Sequence, residues 1–564
     1  MKNKKKFFIY FLITVLITVS FMIYLRSQYI FRYAINDDIN MRNFISGRYT
    51  GEFESRLIHI KYVIGWFLKV LYSVYSNIEW YAVMLLAVQS AGLGVMIFRI
   101  LSMKEKRIDK SLQCLVLILI IGTLWIPYFV NVQYTLVAAL TGVSAIFWYI
   151  TGKNTVFDDT ITVMLALLAY SIRHEVGIVV FALGVGVFVY KNWPLKPSVS
   201  VYRVFIMGGI GVVTILLIQS FAYKSKEWKD FFDFNEVRTE LYDYYGFPDY
   251  ADNQGFYNEA EISWESYKAM LDSNMLLNGA LNLDKYEAVL NKSKELQQTG
   301  IIEHIIRAVK LVGSQFLSDQ YRVYAVFSII LWGMVLCTLI RRGDRWKLLW
   351  STFIIVIIAS LWLYLGYRGR LPERVAVMMH LFGAIIPFAI LIDLRTIYVN
   401  QSGVRIFAIG AAICTLLLTN GFTGYKLKQE QQEQKTQLYM ADRLEEYFGD
   451  NSENFYFVDV YSLAAYTGAL KLKVTPEYNN YMRMGDWPVY SPHCYKKLEL
   501  EKTTNILDTL VNDDHCFMVV LDWKNIDYIK GLLWKTYGDV TCDIIDTITD
   551  GQTVFNVYRF KIMK

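Results

Sequence analysis

The sequence predicts a polytopic α-helical membrane protein, with an extracytoplasmic helical cap and a C-terminal extracytoplasmic α/β domain. Three observations carry that expectation. The 564 residues are 54% hydrophobic and 16% aromatic, with a mean hydropathy of +0.29, a balance above that of a water-soluble enzyme. Apolar runs close to the ~20 residues needed to cross a hydrocarbon layer recur along the chain. Strand-like segments appear only after the last of those runs.

About eleven runs read as spans: 7–25, 80–101, 112–130, 133–150, 158–172, 175–190, 203–222, 322–340, 348–366, 373–392 and 405–422. The first follows "MKNKKK" but lacks a small-residue cleavage site, so it reads as an anchor rather than a signal peptide. Basic clusters recur at alternate connections: "KNKKK", "KEKRIDK" (104–110), Lys153, "KNWPLK" (191–196), "RRGDRWK" (341–347) and the Arg395 to Arg405 connection. By the positive-inside rule these face the cytosol, together with the N-terminus. The opposite, extracytoplasmic side then receives residues 26–79, the Arg173-His174-Glu175 turn, 223–321, "GYRGRLPER" (366–374) and everything after 422. Few cysteines and no targeting signal beyond the anchor are compatible with a bacterial plasma membrane. The chain is expected to divide into an N-terminal transmembrane module (1–222) carrying the first outer loop, a cap (223–321), C-terminal spans (322–422) and an α/β domain (423–564).

Charge agrees with this division. From residue 423 onward, 16 Lys and Arg face 21 Asp and Glu, a net charge of −5, so the preceding residues carry +11 of a chain whose total is +6. The basic excess lies in short clusters between apolar runs, as topology signals do, which argues against a nucleic-acid surface.

In the first outer loop, "RLIHIKYVIGWFLKVLYSVY" (56–75) has apolar residues at helical spacing with Lys61 and Lys69 among them, and reads as a helix lying on the membrane surface. The 223–321 segment is polar and acidic with helical patterns such as "EISWESYKAMLDSNMLLNGAL" (261–281), and predicts a small helical cap. After a polar linking helix (426–449), "NFYFVDVY" (454–461), "HCFMVVLDW" (515–523) and "TVFNVYRFKI" (553–562) read as strands, with a helix over 525–538. Cys114, Cys337 and Cys414 fall in spans. Cys494, Cys516 and Cys542 fall in the outer domain, where one disulfide in any of three pairings is open. No CxxC or His/Cys cluster suggests zinc.

Ionisable groups at span ends are costly without partners, so three outer clusters stand out. Asp37 and Asp38 follow the first span, in "INDDINMRNFISGRYTG" (35–51). Arg173, His174 and Glu175 separate the fifth and sixth. Arg368, Arg370, Glu373 and Arg374 separate the ninth and tenth, in a short outer loop where basic residues are disfavoured unless something such as a lipid phosphate compensates them. Together they have the parts for sugar transfer from a lipid phosphate. A carboxylate takes the acceptor's proton, and arginine forks hold the departing phosphate.

The early acidic pair, the following interfacial helix, the span count, the outer Arg and Glu residues and the outer C-terminal domain together resemble the GT-C class of integral-membrane glycosyltransferases. "NDDINMRNFISGRYTG" is similar to the start of bacterial GtrII-type glucosyltransferases. The resemblance implies a polyprenyl-phosphate-sugar donor, a cell-surface glycan acceptor and inversion at the anomeric carbon. It makes Asp37 or Asp38 the base. The clusters themselves add Glu175 as a further catalytic candidate and give Arg173, His174, Arg368, Arg370, Glu373 and Arg374 to substrate binding, with Arg368, Arg370 and Arg374 as the phosphate cradle. No WWD-type signature of oligosaccharyltransferases is present. A requirement for Mg or Mn stays open.

Simpler readings exist for each cluster. Asp37 and Asp38 could cap the nearby surface helix, Arg173 and Glu175 could pair only with each other, and His174 could be structural. Asp158 and Asp159, on the cytosolic side, read as a plain helix start. A lipid-linked glycan flippase or transporter would be expected to carry mid-span charges and related halves; mid-span charges are few and no such halves are evident. An O-antigen-type polymerase is a nearer rival, with its large outer loop and arginines.

Overall fold

The computed structural model describes residues 2–195, 198–277, 279, 281–297, 300–318, 321–396, 403–464, 466, 468–473 and 478–563. Lys196 and residues 397–402 of the basic 395 to 405 connection lie outside the described residues.

Long apolar runs fold as helices because each backbone polar group is satisfied within its own segment, as a bilayer requires. Helix α1 (Lys2–Gln28) leads into strand β1 (Arg32–Tyr33), then the short helices α2 (Asn36–Ile45) and α3 (Tyr62–Val74). Next come α4 (Trp80–Ser102), α5 (Arg107–Val130), strand β2 (Asn131–Val132), α6 (Tyr134–Thr151), α7 (Val156–Ile172), α8 (His174–Asn192) and α9 (Val199–Ala222). The cap comprises α10 (Lys226–Glu240), a π-turn (Leu241–Tyr245), α11 (Gln254–Glu259), α12 (Trp264–Leu271), a 3₁₀ turn (Met275–Leu277) and α13 (Leu283–Leu296). Helix α14 (Ile301–Leu317) returns the chain to α15 (Arg322–Arg342), α16 (Arg345–Tyr367), α17 (Glu373–Asp393) and α18 (Gly403–Glu433).

All eleven expected spans are therefore helical. Nine helices among the described residues are long and apolar enough to cross a membrane; of the remaining two, α7 has 17 residues, and α18 runs on into the polar stretch that was expected to begin a separate linking helix. Helices α6 and α17 are buried along almost their whole length and form the centre of the bundle, whereas α9 presents Ile210, Val213, Leu217 and Phe221 outward, as a lipid-facing helix does.

Helix α3 is shorter than expected, because residues 56–61 are not helical. It buries Gly65, Leu68 and Tyr72 and exposes Trp66, Phe67, Val70 and Val74, an apolar outer face suited to a membrane surface. Gly65 permits the contact beneath it, since a Cβ there would lie 2.0 Å from the Ser55 carbonyl oxygen. Helix α14 was expected within the cap. It instead packs on α16 and turns Ile301, Ile302, Ile305 and Val309 outward.

The chain ends in α19 (Lys435–Asp450), β3 (Phe455–Val458), α20 (Val460–Ala464), β4 (Tyr481–Arg483), α21 (Pro492–Leu500), α22 (Ile506–Asn512), β5 (Cys516–Leu521), α23 (Asp527–Tyr537), β6 (Val540–Thr549) and β7 (Val554–Ile562). The five strands order as β4-β3-β5-β7-β6, parallel across β4, β3 and β5 and antiparallel thereafter. The three expected strands are present as β3, β5 and β7. The sequence reading missed β4, which has three residues, and β6, an edge strand with Asp543 and Asp546. Strands β3 and β5 are buried on both faces, as helix-covered parallel strands are. One face packs on Leu444 and Phe448 of α19; the other packs on α22, α23 and, from the cap, Ala269 and Leu277. The cap and the sheet thus share a core. Cys494, Cys516 and Cys542 are all free thiols.

Candidate active site

Connections predicted to lie on one side gather at one end of the bundle. Strand β1 pairs with β2, the Lys61 N–H donates to the Ser171 carbonyl, and Arg32 and Ile78 form bridges to Ala469 and Lys473. The cap and sheet sit at this end. The residues predicted for the other side pair among themselves, Arg99 with Asp158, Lys347 with Asp393 and Arg395 with Glu105.

At the cap end, Asp37 and Asp38 occupy the first turn of α2, where the helix dipole favours carboxylates. Neither side chain caps the helix. The two have different surroundings. Asp38 is fully buried. Its Oδ1 accepts a 2.7 Å bond from the Tyr81 hydroxyl and a 3.3 Å bond from the Tyr134 N–H, while Oδ2 has no partner among the described residues. Burial holds its pKa well above the ordinary carboxylate value, helped by the charge of Asp37 and opposed by the Tyr81 bond.

Asp37 is half-buried and its carboxylate makes no hydrogen bond or ion pair within the described residues. Burial raises its pKa, as does the neighbouring charge of Asp486, and the guanidinium groups of Arg374, Arg173 and Arg238 oppose that rise. Those charges come from four separate parts of the chain. Arg374 lies in the first turn of α17, and it too makes no hydrogen bond or ion pair within the described residues. Arg173, in the α7–α8 turn, donates a 2.7 Å bond to the Tyr134 hydroxyl and forms an ion pair with Glu175 Oε2 at 2.7 Å. Arg238 belongs to cap helix α10, steadied by Asn235 and Thr239. Asp486 sits in the loop after β4 at φ 76°. It receives bonds from Asn36 (3.0 Å), Asn40 (3.2 Å) and Arg483 (2.6 Å), so the sheet domain grips α2 on both sides of Asp37.

His59 completes the wall. Its ring packs on Trp487 (4.4 Å between centroids) and Tyr134 (6.1 Å). Burial, then the charges of Arg173, Arg238 and Arg374, hold its pKa well below the ordinary value, so the ring is neutral at pH 7.

The structure therefore brings Asp37, Arg173 and Arg374 together and adds Arg238, His59 and Asp486, which the sequence reading missed. It engages other candidates elsewhere. Arg368 lies over the Tyr244 ring at 4.5 Å and Arg370 pairs with Asp243, so both fasten the α16–α17 loop to the cap's π-turn. Glu373 accepts from the Tyr128 hydroxyl at 3.0 Å. Glu175 is half exposed and holds both Arg173 and His174, which orients the arginine.

Among the described residues, no three His, Cys, Asp or Glu side chains converge as a metal-binding group. Asp37 has the charges of three guanidinium groups and one carboxylate, Asp486, around it, a set that suits an anion and does not fit a divalent cation. Beyond this cluster, α6 to α9 line an apolar groove of about 630 Å³, open on its outer side, whose lining includes Tyr170 and Gly177, on either side of Arg173 in the chain.

No family model matches the chain, and no curated protein matches it. Among solved structures, it is similar to ArnT from Cupriavidus metallidurans bound to undecaprenyl phosphate, with a TM-score of 0.40, 12% identity, and coverage of 96% of this chain and 97% of that one. The apo structure of the same protein gives a TM-score of 0.39 and 13% identity over the same shares.

Proposed function

We propose that the chain is a GT-C-like membrane glycosyltransferase, which moves a hexose from a polyprenyl-phosphate carrier to a cell-surface glycan on the extracytoplasmic face. The observation that carries this reading is the Asp37 carboxylate, which makes no bond among the described residues and feels the charges of Arg374, Arg173 and Arg238, at one end of an apolar bundle. An acceptor hydroxyl gives its proton to Asp37 as its oxygen forms a bond to the anomeric carbon. The bond from that carbon to the phosphate oxygen breaks, and its electron pair leaves with the phosphate. Arg374, with no partner of its own among the described residues, offsets the growing charge, supported by Arg173 and Arg238. Displacement from the opposite face inverts the anomeric centre.

The burial that raises the pKa of Asp37 makes it a stronger base than an exposed carboxylate. The fixed hydrogen bonds of Asp38 give it a positioning role. The apolar groove among α6 to α9 has room for part of an isoprenyl tail, and its lining approaches Arg173. The GtrII-type resemblance of residues 36–51 favours a hexosyl donor.

The test is transfer in liposomes holding the purified protein, a radiolabelled polyprenyl-phosphate hexose and envelope glycan from cells lacking the gene. Label should appear in the glycan with wild type and not with Asp37→Asn. Equal labelling by both proteins contradicts the proposal.

A further inference from the structure

Where cap helix α12 meets the sheet domain, a cleft of about 510 Å³ lies between Trp264, Lys268 and Asp272 on one wall and Trp523, Lys524 and Asp527 on the other. The two indoles are 49% and 73% exposed. Large aromatic surfaces left in water on both sides of one polar cleft are characteristic of a binding site. The charges balance, two lysines against two aspartates, so the cleft favours a neutral ligand.

The cleft is held firmly. Lys524 lies 3.8 Å from Asp272 and 3.7 Å from Asp459, which fixes the turn bearing Trp523. Asn274, fully buried, donates to Asp459 Oδ1 at 2.7 Å and to the Tyr528 hydroxyl at 2.8 Å, and accepts from the Val460 N–H at 3.1 Å. Buried polar groups satisfied in this way make the cap and sheet one rigid wall.

It is also coupled to the reaction centre. Asp272 begins a turn whose next residue, Ser273, accepts a 3.3 Å bond from the Asp486 N–H. Gly485 allows that approach, because a Cβ there would lie 1.7 Å from the Ser273 oxygen. Asp486 in turn holds Asn36 and Asn40 around Asp37.

A pyranose has an apolar face of C–H bonds, which stacks on an indole, and a rim of hydroxyls that suits carboxylate, amide and ammonium groups. We propose that this cleft binds neutral pyranose units of the acceptor glycan, with Trp264 and Trp523 as stacking platforms. The ligand being the acceptor rests on the transferase reading above.

The experiment measures binding of lipid-free envelope polysaccharide, purified from cells lacking the gene, to the detergent-solubilised full chain. Trp523→Ala and Trp264→Ala should each weaken binding about five- to tenfold, and Trp523→Phe should retain most of it. Arg99→Gln, at the far end of the bundle, should bind as wild type does. Absence of binding, or binding indifferent to both tryptophans with melting temperatures unchanged, overturns the proposal. If alanine at either tryptophan unfolds the chain, Lys268→Ala decides: weakened binding supports the cleft and unchanged binding overturns it. Tryptophan-dependent binding without sugar transfer would sink the transferase and leave the cleft. Asp37-dependent transfer with glycan affinity indifferent to the tryptophans would do the reverse.

Discussion

Two adjacent aspartates begin a helix at each end of this bundle, and the two pairs have opposite fates. At the end away from the cap, Asp158 is 3.3 Å from Arg99, accepts from the Thr155 hydroxyl and the Lys153 N–H, and is buried. Asp159 pairs with Arg203. Every one of these partners is local to that end, and the pair closes the α4, α7 and α9 ends together. At the cap end, Asp38 is similarly fixed by Tyr81 and Tyr134, but Asp37 has charges around it and no bond to any of them. A helix-start acidic pair is thus structural where hydrogen bonds hold it and a candidate for chemistry where one carboxylate is left open among cations, of which Arg374 makes no bond among the described residues.

The largest effect that could break this contrast is Asp37→Asn, which should lower transfer by about 10² to 10⁴-fold at equal membrane abundance, the usual worth of a general base. Arg374→Gln should follow, costing on the order of 10²-fold through lost stabilisation of the leaving phosphate. Initial rates on a polyprenyl-phosphate sugar check both.

The pH profile sharpens the contrast in both directions. A base acts deprotonated, and the folded pKa of Asp37 is raised, so activity is present above that pKa and lost as pH falls through it. Removing a positive neighbour by Arg238→Gln should move the acid limb to higher pH. Asp486→Asn removes a negative neighbour and should move it lower. A limb that stays put in both variants would detach Asp37 from the titration.

Smaller effects complete the series. Asp38→Asn keeps an oxygen to accept from Tyr81, so it should cost less than about tenfold in activity. Arg99→Gln should lower unfolding free energy by about 1–3 kcal/mol while leaving activity per folded molecule unchanged; a thermal melt beside a rate measurement decides.

Much of the bundle was legible because apolar length is a strong and local signal. Asp37, Asp38, Arg173 and Arg374 were legible as charges at span ends. Their division of labour was not, since the hydrogen bonds that hold Asp38 Oδ1 come from Tyr81 and Tyr134, far along the chain. Arg368 and Arg370 read as a phosphate cradle beside Arg374 because Asp243 and Tyr244, which engage them, lie in a cap whose docking no local pattern announces. His59 stood within a stretch read wholly as an amphipathic helix. Asp486 and Trp487 lie in "MGDWPVY", a loop with no periodicity, and Arg238 is one charge among many on a polar helix. Each becomes visible only when the sheet and cap close over α2. Strand β6 escaped notice because an exposed edge strand with aspartates lacks the apolar alternation of a half-buried one.

The most direct measurement compares Asp37→Asn with Asp38→Asn side by side in liposomes, reading sugar transferred per folded molecule. The account predicts near-complete loss for the first and a modest reduction for the second. Loss confined to Asp38→Asn, or equal activity in both, would contradict the assignment of Asp37 as the base.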